Sequence, residues 1–170
     1  MRARLKTYYS FFFVIIIALG LMLFYLLTYS MYEIEEYAVN DPSVSTKLLI
    51  ATQGSEFKDK VTQNIIAHYK PDQVFIEIID ISKLYDISPE NFDAIVIMHT
   101  WEYGMAPEDV KQFLLKNNTI EYKTVILATS GDGDNKIKGI DAITGESKLE
   151  SASYISNEIV NKIDQVFKKQ

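Results

Sequence analysis

The hydrophobic residues of this chain follow two different patterns. Residues 11–27 form one unbroken apolar run, whereas apolar residues after position 46 come in short runs separated by helical stripes. Short runs rich in branched side chains are typical of strands buried on both faces. They predict four strands, at residues 47–51, 74–79, 92–98 and 124–128. Apolar residues at helical spacing predict helices at residues 56–69, 107–116 and 150–168.

Strands that alternate with helices predict an α/β fold with a parallel sheet covered on both faces. We expect right-handed crossovers and four parallel strands in the order 2-1-3-4. Residues 129–149 show no helical pattern, although successive parallel strands need a crossover of about a dozen residues or more. Any fifth strand should therefore be short and at the edge of the sheet, within residues 137–144.

The N-terminal apolar run has the features of a membrane span. Arg2, Arg4 and Lys6 precede it, and the next charged residue is Glu33. With its flanking tyrosines, the run is about as long as a bilayer is thick. It exceeds the apolar region of a typical signal peptide, and no small-x-small cleavage site follows it. The predicted organisation is a cytoplasmic N-terminus at 1–7, a transmembrane helix at 8–32, a tether at 33–45 and a folded domain at 46–170.

Composition narrows the possible functions. The chain has a formal charge of −6 and no cysteine, which excludes disulfides, thiolate metal sites and a catalytic thiol. No basic patch follows the N-terminus, so nucleic acid is not an expected partner. The positive-inside rule predicts a single-pass protein of the cell membrane, with its N-terminus in the cytoplasm and its folded domain outside.

Polar, aromatic and glycine residues follow three of the predicted strands. In open α/β sheets, ligands bind beside the carboxyl ends of the strands. No hydroxyl in these loops has a neighbouring histidine, so no catalytic nucleophile is predicted, and the spacing of the aspartates does not fit a calcium loop. The candidate ligand-binding residues are Thr52, Gln53, Gly54 and Ser55 after the first strand, Thr100, Trp101, Glu102, Tyr103 and Gly104 after the third, and Thr129, Ser130, Gly131 and Asp132 after the fourth.

With these loops, residues 46–170 resemble the flavodoxin-like family. The aromatic loop at 100–104, followed by Pro107 and a helix with Val110, Phe113 and Leu114, is the most specific part of the resemblance. The resemblance implies a three-layer sandwich that binds FMN non-covalently, with the phosphate on the first loop and the flavin ring between the other two. It also implies electron transfer outside the cytoplasm to a redox or membrane-protein partner.

Two positions favour a different hypothesis, a flavin-free binding module at the membrane surface. Where the family has hydroxyl residues around its phosphate-loop glycine, this chain has Gln53 and Glu56. A carboxylate beside a phosphate weakens its binding. On this hypothesis Trp101 and Tyr103 contact a partner instead of a flavin. His99 either acts in acid–base chemistry or satisfies a loop carbonyl, and the sequence leaves open whether the protein is an enzyme.

Overall fold

The computed structural model describes residues 2–29 and 31–169. The chain divides into two compact units, Met1–Met31 and Tyr32–Gln170. The first unit consists of one long helix, and the second contains the β-sheet and the remaining helices. Each unit is described by itself below.

The helix of the first unit, α1, spans Arg2–Tyr29, and its described side chains between positions 8 and 24 are exposed. Within the described part of the chain, no helix is both long and apolar enough to cross a membrane. The transmembrane helix predicted at residues 8–32 is therefore not confirmed. Its predicted last residue, Tyr32, belongs instead to the second unit, where it pairs with Gly54.

The second unit contains a six-stranded sheet in the order β1-β3-β2-β4-β5-β6. Strand β1 pairs antiparallel with β3, and every other neighbouring pair is parallel. The strands are β1 (Tyr37–Val39), β2 (Lys47–Thr52), β3 (Phe75–Asp80), β4 (Ala94–Thr100), β5 (Thr124–Thr129) and β6 (Ile143–Gly145).

The α/β prediction is confirmed, but the sheet as a whole is mixed and its order differs from 2-1-3-4. The four predicted strands correspond to β2–β5, which lie side by side in the expected relative order. Strand β1 was missed because residues 33–45 were predicted to be a tether. It is three residues long and lies along the open edge of β3, where it satisfies backbone groups that would otherwise be unpaired. Strand β6 is short and at the opposite edge, and it extends one residue beyond the predicted segment.

Helices cover both faces of the sheet because successive strand residues point to opposite sides. On one face, Leu48 and Ile50 pack in a buried cluster with residues of α2 (Glu56–Tyr69) and α4 (Ala152–Phe167). On the other face, Leu49 and Ala51 pack with residues of α3 (Glu108–Lys116) and of the 3-10 helix Ile81–Asp86. The parallel strands β2, β4 and β5 end at the same edge, which brings the three predicted loops together there.

Candidate functional site

The loop between β2 and α2 is held by hydrogen bonds to its own neighbours. Ser55 is the N-cap of α2, and its Oγ accepts a hydrogen bond from the Lys58 backbone N–H at 3.2 Å. The Thr52 hydroxyl donates to the Gln53 carbonyl at 2.9 Å. The Gln53 side-chain oxygen accepts from the Thr100 backbone N–H at 2.7 Å. The residues predicted to bind a phosphate therefore stabilise the loop and join it to the end of β4.

Tyr32 covers Gly54, at the centre of this loop. The Gly54 N–H donates to the Tyr32 carbonyl at 2.7 Å, and the Gly54 carbonyl accepts from the Tyr32 N–H at 3.1 Å. The Tyr32 ring is so close that a Cβ at position 54 would overlap it and would lie 2.6 Å from the Tyr32 carbonyl oxygen. Glycine is required here because two segments of the chain approach each other closely.

Two carboxylates, Glu56 and Asp59, lie in the first turn of α2, next to this loop. The Tyr32 hydroxyl donates to the carboxylate of Asp59, in the first turn of α2. This hydrogen bond, together with burial and the charges of Asp59 and Glu56, raises the pKa of Tyr32 to about 12, so the phenol stays protonated at neutral pH. A phosphate here would face two negative charges at a helix N-terminus that otherwise favours anions.

The loop between β4 and α3 contains a tight hairpin turn. Glu102 and Met105 pair through two backbone hydrogen bonds of 3.0 Å. Tyr103 and Gly104, between them, have φ angles of 51° and 75°. Two consecutive positive φ angles are typical of a type I′ turn, whose twist suits a hairpin. The turn exposes 85% of Tyr103 and 60% of Met105 to solvent.

Trp101 lies in a different environment from Tyr103. Its backbone N–H donates to the Thr129 carbonyl at 2.7 Å, which joins this loop to the end of β5. Its side chain is half-buried, and its indole Nε1 is buried without a hydrogen-bond partner among the described residues. The two aromatic residues predicted to flank a flat ligand therefore differ in exposure, with Trp101 half-buried and Tyr103 exposed.

A buried lysine, which the sequence analysis missed, lies beneath the loops. Lys58 is fully buried, and its Nζ donates to the Thr100 hydroxyl at 2.6 Å. The Thr100 and Thr129 hydroxyls are 2.8 Å apart. Burial lowers the pKa of Lys58 to about 8, against the opposing effect of the Glu102 and Asp59 charges. Lys58 is spaced by four and seven residues from two other buried residues of α2, and this helical spacing could have predicted its burial.

His99 is the second buried titratable residue at this edge. Its side chain is fully buried. Burial lowers the pKa of His99 to about 4, and the nearby charge of Lys58 acts in the same direction, against the opposing effect of a hydrogen bond with the Thr100 backbone. The imidazole is therefore neutral at pH 7.

The loop after β5 is a turn that is held by hydrogen bonds between its own residues. The Ser130 hydroxyl donates to Asp132 Oδ1 at 2.5 Å and accepts from the Gly133 N–H at 3.0 Å. The Ser130 hydroxyl, as the largest influence, lowers the pKa of Asp132. The Ser130 N–H donates to the Gly145 carbonyl at 3.1 Å, so the turn is tied to β6. Gly131 and Asp132 are exposed.

A cavity of about 280 Å³ opens between the first two loops. Ligand pockets for drug-sized molecules usually measure ~300–1,000 Å³. Within the described residues, no group of three or more His, Asp or Glu side chains is arranged to hold a metal ion. The residues that line the cavity are Gln53, Glu102, Met105, Ala106, Pro107, Glu108 and Lys111.

No protein-family model matches this sequence, and no curated protein matches it. Solved structures do match. A metal-soaked flavodiiron core from Synechocystis aligns with a TM-score of 0.55 at 11% sequence identity, over 74% of this chain and 36% of that chain. The chain has a flavodoxin-like fold. At this identity the similarity establishes the fold alone, and this chain spans about a third of the flavodiiron core's length.

Two flavodoxins are also similar to this chain. An archaeal flavodoxin has 10% identity and a TM-score of 0.46, over 71% of this chain and 99% of its own length. Oxidised Flavodoxin 2 from Bacillus cereus has 13% identity and a TM-score of 0.45, over 69% of this chain and 99% of its own length.

The sequence resemblance predicts an FMN site at these loops, but the residues present do not fit one in this structure. The Gly54 N–H, which the resemblance assigns to the FMN phosphate, donates to Tyr32, and the Tyr32 ring fills the space above it. Glu56 and Asp59 add negative charge at the same place. The third loop also does not line the cavity between the first two loops.

Proposed function

We propose that this chain is a flavin-free flavodoxin-like module that binds a partner protein. The observation that carries the proposal is the position of Tyr32, which takes both the N–H of Gly54 and the space above it. Flavodoxin-like folds carry unrelated functions, so the fold does not require the chain to keep a flavin.

The hairpin turn after β4 is the surface proposed to contact the partner. Tyr103 and Met105 are exposed side by side, and the paired backbone of Glu102 and Met105 fixes the turn. Tyrosine is enriched among the residues that dominate binding energy, and a rigid turn loses little entropy on binding. Glu102 in the turn favours a partner surface that carries a basic residue beside an apolar pocket, whereas Glu108 is already paired with Lys111.

Photo-crosslinking tests this surface. A photoreactive amino acid replaces Tyr103 in the full chain, and the matched control carries it at Tyr122, a tyrosine that is 66% exposed elsewhere on the domain. In cells that produce the protein, we expect an adduct of one defined mass from position 103 and none from position 122. Adducts of equal yield at both positions, or none at either, would contradict the proposed surface.

Flavin titration tests the absence of a cofactor. The full chain is purified, and its visible absorption is recorded alone and with added FMN up to high micromolar concentration. We expect no flavin bands after purification and no shift of the FMN spectrum on mixing. Uptake of FMN by the unmodified chain would refute the flavin-free proposal.

A second function, an FMN-dependent electron carrier with a redox partner, is favoured by one observation. The three predicted loops leave the sheet at one edge and are joined by the Gln53–Thr100 hydrogen bond and the Thr100–Thr129 hydroxyl pair. On this proposal Tyr32→Gly takes up FMN even if the parent does not. Glu56→Thr strengthens binding by removing a carboxylate, and Trp101→Ala weakens it by ~1–3 kcal/mol. Failure of every variant to take up FMN removes this candidate.

The location is also a proposal: a single-pass protein of the cell membrane with its second unit outside the cytoplasm. It is supported by the apolar run at residues 11–27 and by the basic residues Arg2, Arg4 and Lys6 before it. A reporter enzyme that is active only outside the cytoplasm, fused to the C-terminus, should be active. Activity of a cytoplasm-only reporter in the same fusion would contradict the proposal.

A further inference from the structure

The segment at residues 32–34, here called the strap, closes over the β2–α2 loop. Its contacts with Gly54 are two backbone hydrogen bonds and the overlying Tyr32 ring. The Tyr32 hydroxyl donates to Asp59 at the start of α2. At the other end of the strap, the Ile34 N–H donates to Asp80 Oδ2 at 3.1 Å. The strap thus contacts the ends of two parallel strands and the start of a helix.

The loop beneath the strap has its own structural contacts. The Gln53 N–H donates to the Met98 carbonyl at 3.2 Å, and Ser55 caps α2 independently of Tyr32. The strap pairs with the loop through a single residue pair, Tyr32 and Gly54, and 51% of Tyr32 remains exposed. The Tyr32 end of the strap is exposed, whereas Ile34 packs against the buried cluster of α2 and α4. A segment end with exposed hydrogen bonds can open locally while the rest of the domain stays folded.

We propose that the strap is a lid, which closes the β2–α2 loop and opens locally while the rest of the domain stays folded. The proposal goes beyond partner binding at the Tyr103 turn, because it concerns a separate surface. With the strap open, Glu56 and Asp59 still lie in the first turn of α2, so opening the loop does not by itself restore a phosphate site.

The chain offers a direct probe of this closure because it contains no cysteine. Ser55→Cys places a single thiol in the loop, next to Gly54, which the strap covers, and its rate of reaction with a thiol reagent reports how often the loop is open. Ser153→Cys, at an exposed position of α4, is the matched control. Each is made in the full chain with Tyr32 intact, with Tyr32→Phe and with Tyr32→Gly.

With Tyr32→Gly, we expect the thiol at position 55 to react about ten-fold faster or more, which corresponds to a closure free energy of ~1.4 kcal/mol. Tyr32→Phe, which keeps the ring and the backbone pair, should give a smaller increase. The thiol at position 153 should react at the same rate in all three backgrounds. Gly54→Ala is a second variant that should displace the strap, because the added Cβ would lie 2.6 Å from the Tyr32 carbonyl oxygen. It should therefore raise the rate of hydrogen exchange in the strap.

Two results would contradict the proposal that the strap is a lid. If the thiol at position 55 reacts equally fast with Tyr32 and with Tyr32→Gly, the strap does not close the loop. If Tyr32→Gly accelerates the thiols at positions 55 and 153 alike, the strap is a structural part of the domain whose loss unfolds it. Neither readout involves flavin, so failure of the lid and failure of the flavin-free proposal are distinguishable.

Discussion

At the scale of single residues, Gly54 shows what the sequence could and could not predict. A glycine after a buried strand indicates that something approaches the backbone closely, and the resemblance assigned that place to a phosphate. The structure places Tyr32 there instead. Local pattern could not identify it, because Tyr32 is 22 residues earlier in the chain and was predicted to end a different helix.

The burial of His99 could be predicted from the sequence, but its surroundings could not. Its burial follows from its position near the end of a strand whose five preceding residues are apolar and buried. The groups around its ring could not be predicted, because they depend on which residues surround it in three dimensions. A buried imidazole is costly to protonate.

We predict that His99 makes the domain acid-sensitive. Its pKa is 6.5 when unperturbed and about 4 in the folded protein, so below pH 6.5 the unfolded chain binds a proton that the folded chain does not. Stability is therefore lost as the pH falls from 6.5 towards 4, by roughly 3 kcal/mol in full. Urea unfolding at neutral pH and near pH ~4.5, for the parent and His99→Leu, measures this loss. Equal losses in the two proteins would contradict it.

At the scale of elements, local signals predicted helices better than edges of the sheet. The bounds of α2 match the predicted 56–69 because Ser55 provides a cap and Pro71 soon follows the helix end. Helix α4 is shorter than predicted because residues Leu149–Ser151 form a 3-10 turn before it. Strand β1 carries no local signal, since three residues are too few to show alternation.

Ser55 should act on stability through α2. Loss of an N-cap hydroxyl typically costs ~1 kcal/mol, so Ser55→Ala should lower the free energy of unfolding by about that amount, whereas Ser55→Thr should retain most of it. Ser88 is the matched control, because it precedes a 3-10 helix without a side-chain cap hydrogen bond. Ser88→Ala should therefore change stability much less in the same urea measurements. Equal effects at the two serines would show that the Ser55 cap does not stabilise α2.

At the scale of the whole molecule, alternation of strands and helices was enough to predict the α/β class and the shared edge of the loops. It could not predict which residues pack against the loops at that edge. One of them is Tyr32, which pairs with Gly54. Tyr32 belongs to a segment that lies before the predicted domain and leads into β1. The predicted fold was therefore enough to identify where the candidate site lies. Which residues occupy it depends on contacts between residues that are far apart in the sequence.

The same architecture predicts how the second unit opens. Strands β2 and β4 have neighbours on both sides, whereas β1 has three residues and one neighbour. Local openings cost less free energy than global unfolding and involve contiguous segments. We therefore expect the Gly54 amide, whose acceptor is Tyr32, to exchange with solvent at the rate of residues 32–39 and faster than the amides of β4.

Residue-resolved hydrogen exchange measures this, with Tyr32→Phe as the matched variant. That change removes the exposed hydrogen bond to Asp59, which is worth up to ~1 kcal/mol. It should therefore lower the protection of Gly54 and of β1 together while β4 is unchanged. If Gly54 were as protected as β4 in the parent, the strap would open only when the whole domain unfolds. The segment from Tyr32 to β1 would then be part of the cooperative core.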